Sequence, residues 1–441
     1  KMGVYAMLPK ETYAMMRWLS ALILTGCHGE AVDAPTWHHD VAPIVNGRCV
    51  SCHSDGAIGG FPLETYEQVA AVGVSVANVT RARTMPPWLA VPGHAVYKDD
   101  PSLSDAHIQI LQDWVDAGMP EGDPGDAGDP LPDIGAALPE VDVALTLPEP
   151  YTPTLEPDDY RCFPVAWTAT EDTYVTGFEV HPDNDTAVHH VATFLIRPDS
   201  VGGDLTETLA AWDAADAGPG YTCFGGPSRT GDDQNVPVQQ FGQWVPGNQA
   251  VLFPEGSGIL VPAGSSVVIQ MHYNLDAWDG APDQTSIDFD TAPTVEREGA
   301  FAPWLDASWP FGSMRIRAGA TDTYETEGDP TGFWGIFIGD EMDVDAGFDI
   351  QAVMLHMHDL GESGLVSVKR ASGEEQVLLE VAHWDFHWQL NYQLAEPVRF
   401  APGDALYLRC TFDSTAGTED VNWGEGSGDE MCVGNLFITE P

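Results

Sequence analysis

Four short stretches carry side chains able to bind a metal together. Thr186-Ala187-Val188-His189-His190-Val191 places two adjacent histidines at the head of a β-branched and aromatic run, the composition of a strand. Successive strand residues face opposite sides, so His189 and His190 can meet one ion only at a strand end, a bulge or a strong twist. Read in isolation, the pair is one core and one exposed histidine. Gln270-Met271-His272-Tyr273 supplies a third imidazole, Leu355-His356-Met357-His358-Asp359 two more, and Asp429-Glu430-Met431-Cys432 a thioether. The i, i+2 spacing of His356 and His358 puts both rings on one strand face, a chelating pair. Imidazole with the Met431 thioether suits copper, Cu(I) above all, whereas zinc and magnesium rarely take methionine.

A second chemistry precedes these. Cys49-Val50-Ser51-Cys52-His53 is a C-x-x-C-H motif. Its two thiols can add to the vinyl groups of one haem c, after which His53 is placed to ligate the iron. A thioredoxin-like or zinc reading is the lesser alternative. Met85, in Arg83-Thr84-Met85-Pro86-Pro87-Trp88, is the candidate sixth ligand. The two prolines hold the chain extended and present its sulfur from a loop. His94 and His107 are its rivals. The segment is similar to the Met-Pro-Pro-Trp stretch of small bacterial cytochromes c.

Taken in order, His-His, Gln-x-His-Tyr, His-x-His and Asp-Glu-Met-Cys resemble the copper type II, ascorbate-dependent monooxygenases, whose members hydroxylate peptidylglycine or dopamine. The resemblance runs over about residues 145–441. It implies two copper ions in separated sites facing a solvent cleft. His189, His190 and His272 would hold the copper that passes an electron. His356, His358 and Met431 would be the catalytic set, holding the copper that meets O2 and the substrate C–H bond. The resemblance also selects Cys162 with Cys223 and Cys410 with Cys432 from the three pairings that four cysteines allow.

Departures from the family pattern bear on the substrate. The arginine that anchors a carboxylate in the peptide-hydroxylating member is here Met354, and the family's Met-Cys-Asn-Leu-Tyr is Met431-Cys432-Val433-Gly434-Asn435-Leu436-Phe437. A small-molecule substrate without a peptide carboxylate is therefore expected, in a pocket offering Met354 and Phe437. Gln270 is expected to help orient the His272 site. His383 and His387 alternate with tryptophans and read as aromatic packing on a strand.

The elements that must position these groups follow from length and pattern. A chain of 441 residues suffices for two or three domains with cores of their own. The expected fold is multidomain: a small all-α cytochrome c domain followed by two all-β jelly-roll-like sandwich subdomains. Residues 1–27 read as a signal peptide with a lipobox, Leu24-Thr25-Gly26-Cys27, acylated at Cys27 after cleavage. Residues 28–122 form the cytochrome c-like domain, closed by a helix with Ile108, Leu111, Trp114 and Val115 on one face. Residues 123–144 are an acidic Gly/Pro linker. Short apolar runs between Pro-Gly and Ala-Gly turns then predict the two copper subdomains, 145–295 and 296–441.

Charge and cysteines limit the partners. Asp and Glu number 68 against 17 Lys and Arg, a net charge of −51, which repels a phosphate backbone and excludes nucleic acid. Disulfide candidates beside an export signal predict an oxidising compartment, as in a periplasmic or cell-surface bacterial lipoprotein that meets the membrane only through its lipid anchor. The expected function is a copper monooxygenase hydroxylating a C–H bond with O2, its electrons coming from an external donor and relayed by its own haem. The alternatives are a non-catalytic extracytoplasmic electron-transfer or copper-binding protein, and a surface scaffold without copper.

Overall fold

The strand Ser266–Asn274 is buried along almost its whole length, as an apolar strand covered on both faces must be. It pairs antiparallel with Asp158–Ala166 on one side and Val188–Ile196 on the other. Tyr221–Thr222 and Gln239–Trp244 complete this five-stranded sheet. The computed structural model describes residues 34–441 except 56–58, 133, 135–136, 169, 199, 202, 224–225, 230–238, 246–247, 276–277, 335–337, 339–341 and 427. The expected signal peptide and lipobox, with Cys27, lie outside the described residues.

A nine-stranded sheet runs from Val143–Thr146 through Ser286–Ala292, Thr173–His181, Ser257–Val261, Arg297–Trp304, Val433–Thr439 and Phe348–His356 to Tyr392–Phe400, with Val251–Leu252 the ninth strand, paired off this path with Thr173–His181. Its two halves join where Arg297 and Glu298 pair in parallel with Ser257 and Gly258. One core lies between its first half and the five-stranded sheet, with Phe163, Val191 and Ile269 meeting Phe178, Ile259 and Phe289. The second core lies beneath a four-stranded sheet of Thr321–Gly328, Ala405–Asp413, Gly361–Lys369 and Glu375–Val381. Phe301, Ala352 and Phe437 reach from the second half of the large sheet into the first core.

The expected fold class requires correction. The protein is mostly β-sheet, with five short α-helices among the described residues, and no small all-α cytochrome c domain forms at the N-terminal end. The helices Ala42–Arg48, Tyr66–Arg81 and Asp105–Asp116 do bury Trp37, Val41, Leu111 and Trp114 among them. The chain between the last two helices leaves them, however. Pro86 and Pro87 hold it extended, and it lies along the open side of the second sandwich. Val91 N–H donates to Glu380 O, and Lys98 N–H to Gln393 O, both at 2.8 Å. Ala90 and Tyr97 are buried in the sandwich core, and the Trp88 ring packs edge-on against Tyr392 at 4.7 Å. The segment thus covers the edge strands of both sheets, which would otherwise present unpaired backbone groups. Residues 35–441 form one compact unit as a result.

Candidate metal centres

The strand Val188–Ile196 slips register against Ser266–Asn274 at its first turn of pleat: Val188 lies opposite Tyr273, yet His190 lies opposite His272. His189 is the extra residue of that bulge, so a pair that strict alternation would divide is brought together. The three rings His189, His190 and His272 stand 4.6 to 5.7 Å apart between centroids, and one nitrogen from each lies within 4.8 Å of the others. His272 Nε2–H donates to Asp158 Oδ1 at 2.8 Å, which turns its Nδ1 inward, 3.1 Å from His190 Nδ1. Nitrogens on one tetrahedral ion sit about 3.3 Å apart, given metal–nitrogen bonds of about 2.0 Å. His189 Nδ1 is buried without a hydrogen-bond partner, an orphan that a metal would satisfy. The donors present therefore fit a copper ion.

Burial keeps these rings neutral, which is the ligating form. It lowers His189 to about 3, drives His190 well below the usual histidine value, and lowers His272 although Asp158 opposes the shift. Tyr160, opposite His272 on the neighbouring strand, stacks on it at 4.1 Å with the planes 9° apart. Its hydroxyl donates to Glu425 O at 2.6 Å, tying this cluster to the loop that carries Met431.

The second cluster forms where Phe348–His356 ends. The rings of His356 and His358 lie 5.0 Å apart, nearly perpendicular. His356 Nδ1–H donates to Gln389 Oε1 and His358 Nδ1–H to Asp429 O at 3.0 Å, with a backbone bond from Gly426 also acting on His358. The antiparallel register sets His356 opposite Val433, two residues after Met431. Glu430, fully buried, accepts from His358 N–H at 2.9 Å and Leu360 N–H at 2.5 Å. It thereby pins the His-x-His turn to the methionine loop. Burial pushes its carboxyl up to about 7, against the backbone donors that lower it. The same burial pushes His356 down to about 3 and lowers His358.

Both disulfides implied by the resemblance are formed, Cys162–Cys223 and Cys410–Cys432, and they indicate an oxidising compartment. The second anchors the residue next to Met431 across the sandwich. Gln270 does not orient His272 as expected: its amide donates to Gly226 O at 3.3 Å and points to Cys223 Sγ, and Asp158 takes the orienting role. His383 and His387 lie in a turn region outside the strands, not on one. Asp158, Tyr160, Gln389 and Glu430 were not singled out from sequence. Glu430 was legible as an acid beside a ligand; the other three arrive through long-range pairing.

At the C-x-x-C-H motif, Cys49 and Cys52 are unpaired, and burial pushes the Cys49 thiol up to about 12. His53 Nδ1–H donates to Phe61 O at 3.1 Å, so Nε2 is the free nitrogen. Met85 is half-buried just beyond the helix Tyr66–Arg81. Of its rivals, His94 is engaged by Glu380 at 2.6 Å and His107 opens the helix that Ser104 caps.

Residues 338–438 match the family model of the copper type II ascorbate-dependent monooxygenase, C-terminal domain, the region that carries His356, His358 and Met431. The chain is also similar to a tyramine beta-hydroxylase of Caenorhabditis briggsae, 22% identical over 327 residues, covering 71% of this chain and 51% of that protein. It thus spans about half the length of this relative. Together these findings support a relation to the copper type II monooxygenase family. Among solved structures, the major capsid protein P2 of Bacteriophage PM2 aligns over 64% of this chain and 97% of its own, at 11% identity and TM-score 0.24. An allantoicase aligns over 61% and 74%, at 11% and 0.14. Scores this low carry no argument.

Proposed function

We propose that the protein is a copper monooxygenase that hydroxylates a C–H bond of an uncharged small molecule with O2. The observation that carries this reading is the gathering of His189, His190 and His272, one nitrogen of each within 4.8 Å of the others, with His189 Nδ1 buried and unpartnered and His272 held by Asp158. Bound copper would supply one-electron chemistry and the site at which O2 meets the substrate. His189, His190 and His272 hold the electron-passing ion, and His356, His358 and Met431 the oxygen-binding one. Asp158, Gln389 and Glu430 hold the ligands in place. The nearby pocket is lined by Phe178, Phe301, Met354 and Val245 together with the amides of Gln243, Gln389 and Asn435. Among the described residues it offers no cation to a carboxylate and no anion to an amine, which favours a neutral substrate.

A haem c at Cys49, Cys52 and His53 belongs to the same proposal. The free thiols and the hydrogen-bonded His53 Nδ1 fit covalent attachment, and a haem would supply electrons singly from an external donor. Met85 is the proposed sixth ligand. Acylation at Cys27, and with it a bacterial cell-surface or periplasmic location, is likewise part of this reading.

Metal analysis tests it. The purified chain should hold two coppers, and His356→Ala and Met431→Ala should each lose one while the other stays. A chain that takes no copper overturns the reading, and O2 consumption without a hydroxylated product reduces it to an electron-transfer protein.

A further inference from the structure

The carboxylate of Asp283, wholly buried, is bonded to both chain segments that meet at the His189 bulge. Its backbone is fixed, since Tyr151 and Asp283 exchange N–H···O bonds at 2.8 Å in both directions. Oδ1 accepts from Asp183 N–H at 3.2 Å and Asn184 N–H at 3.1 Å, at the head of the turn that feeds Val188–Ile196. Oδ2 accepts from Tyr273 O–H at 3.0 Å, next to His272 on Ser266–Asn274. The Thr285 hydroxyl and N–H complete the set at 2.9 and 3.3 Å. Asn184 passes the restraint on. Its carbonyl accepts from Ala187 N–H at 3.2 Å and Val188 N–H at 3.0 Å, while its amide donates to Asp279 Oδ1 and Ala281 O. Val188 lies opposite Tyr273, so both members of the pair that flanks the bulge are tied to one carboxylate.

We infer that Asp283 is a positioning residue of the first metal centre: its carboxylate clamps the Val188–Tyr273 pair and so selects the bulged register in which His189, His190 and His272 share an ion. The inference rests on the copper reading above. The competing register has no bulge. Regular alternation would set His189 opposite His272 and turn His190 to the other face, leaving two imidazoles where the bulge gathers three. A carboxylate suits the clamp because it accepts at both oxygens and donates at neither, and each of its partners here is a donor. Asparagine has nearly the same shape but one accepting oxygen, so its NH2 would face either the turn amides or the Tyr273 hydroxyl. A buried donor left without an acceptor is costly, and the strain would fall on the pair beside the bulge.

Asp283→Asn and Tyr273→Phe test this, with Asp142→Asn as control, an exposed acid that accepts from the N–H and hydroxyl of Thr291. All are made in a full-length parent carrying His356→Ala, so that the first site alone is loaded. Chelator competition gives the copper affinity, X-ray absorption counts the imidazoles on the ion, and hydrogen exchange on the metal-free chain follows residues 183–188. Asp283→Asn should weaken copper by roughly 10- to 100-fold, lower the imidazole count from three to two, and speed the exchange several-fold. Tyr273→Phe should move all three readouts the same way by less, and Asp142→Asn should match the parent. Asp283→Asn with three imidazoles on its copper overturns the clamp, whether or not the affinity falls, because the register would then be intact. Should Asp283→Asn fail to fold, Tyr273→Phe decides, and parent behaviour there overturns it. A parent that takes no copper defeats the functional reading instead. Exchange then decides the clamp, and equal rates in the parent and Asp283→Asn overturn it.

Discussion

Five imidazoles held neutral in a protein of this acidity are the feature from which the chemistry follows. Each is depressed by burial first, and His189, His190 and His356 by neighbouring imidazoles as well, so at neutral pH the rings offer lone pairs rather than repelling a cation. The metal-free protein should accordingly lose stability as pH falls from 6.5, the unfolded value, toward about 3. Below 6.5 the unfolded chain binds protons that the folded chain refuses, at up to about 1.4 kcal/mol per pH unit for each histidine. Glu430 has the opposite sign, its cost arising as pH rises from 4.5 to about 7. Urea midpoints of metal-free protein between pH 7 and pH 5 should fall, and copper loading should offset the fall. Asp158→Asn leaves the His272 ring in place but weakens the acceptor at its Nε2. It should weaken copper at that site by roughly 10- to 100-fold in a chelator competition, with the second site unchanged. The His-x-His chelate was plain from spacing, but Asp158 was not, since nothing local ties a residue at 158 to a ligand at 272.

Elements supply the positioning. The bulge at His189 is the local device foreseen from alternation, because two adjacent histidines on a regular strand cannot share an ion. What the local pattern could not show is where the extended segment between Tyr66–Arg81 and Asp105–Asp116 goes. Met85-Pro86-Pro87-Trp88 reads as a haem-ligand loop, and only the tertiary structure shows that the residues just after it, around Ala90–Val91 and Tyr97–Lys98, dock against Glu375–Val381 and Tyr392–Phe400. Trp88, packed against Tyr97 and Tyr392, is the anchor of that seam. Trp88→Ala should cost about 3 kcal/mol for the lost aromatic packing, and limited proteolysis should then cut between residues 82 and 104 before it cuts the sandwiches. Equal resistance in the variant and the wild type would show that the prolines and backbone bonds suffice.

At the scale of the whole molecule, a net charge of −51 opposes compaction, and salt screens that repulsion. The thermal midpoint should therefore rise by several degrees as sodium chloride is raised from low to near-molar concentration, measured by calorimetry on the copper-loaded protein. A flat response would show that local pairing already neutralises the excess acid. Sequence alone determined the candidate ligand types, the i, i+2 spacing of His356 and His358, the need for a strand end, bulge or twist at His189–His190, and the β-rich second part, because each depends on neighbours within a few residues and on the period of a strand. Tertiary structure decided the rest: one sheet running through both halves, helices joined to a sandwich rather than standing as a domain, Asp158 behind His272, and Asp283 tied to both sides of the bulge. These arise from pairings between residues far apart in the chain, whose register is selected by shared burial and leaves no trace in any local pattern.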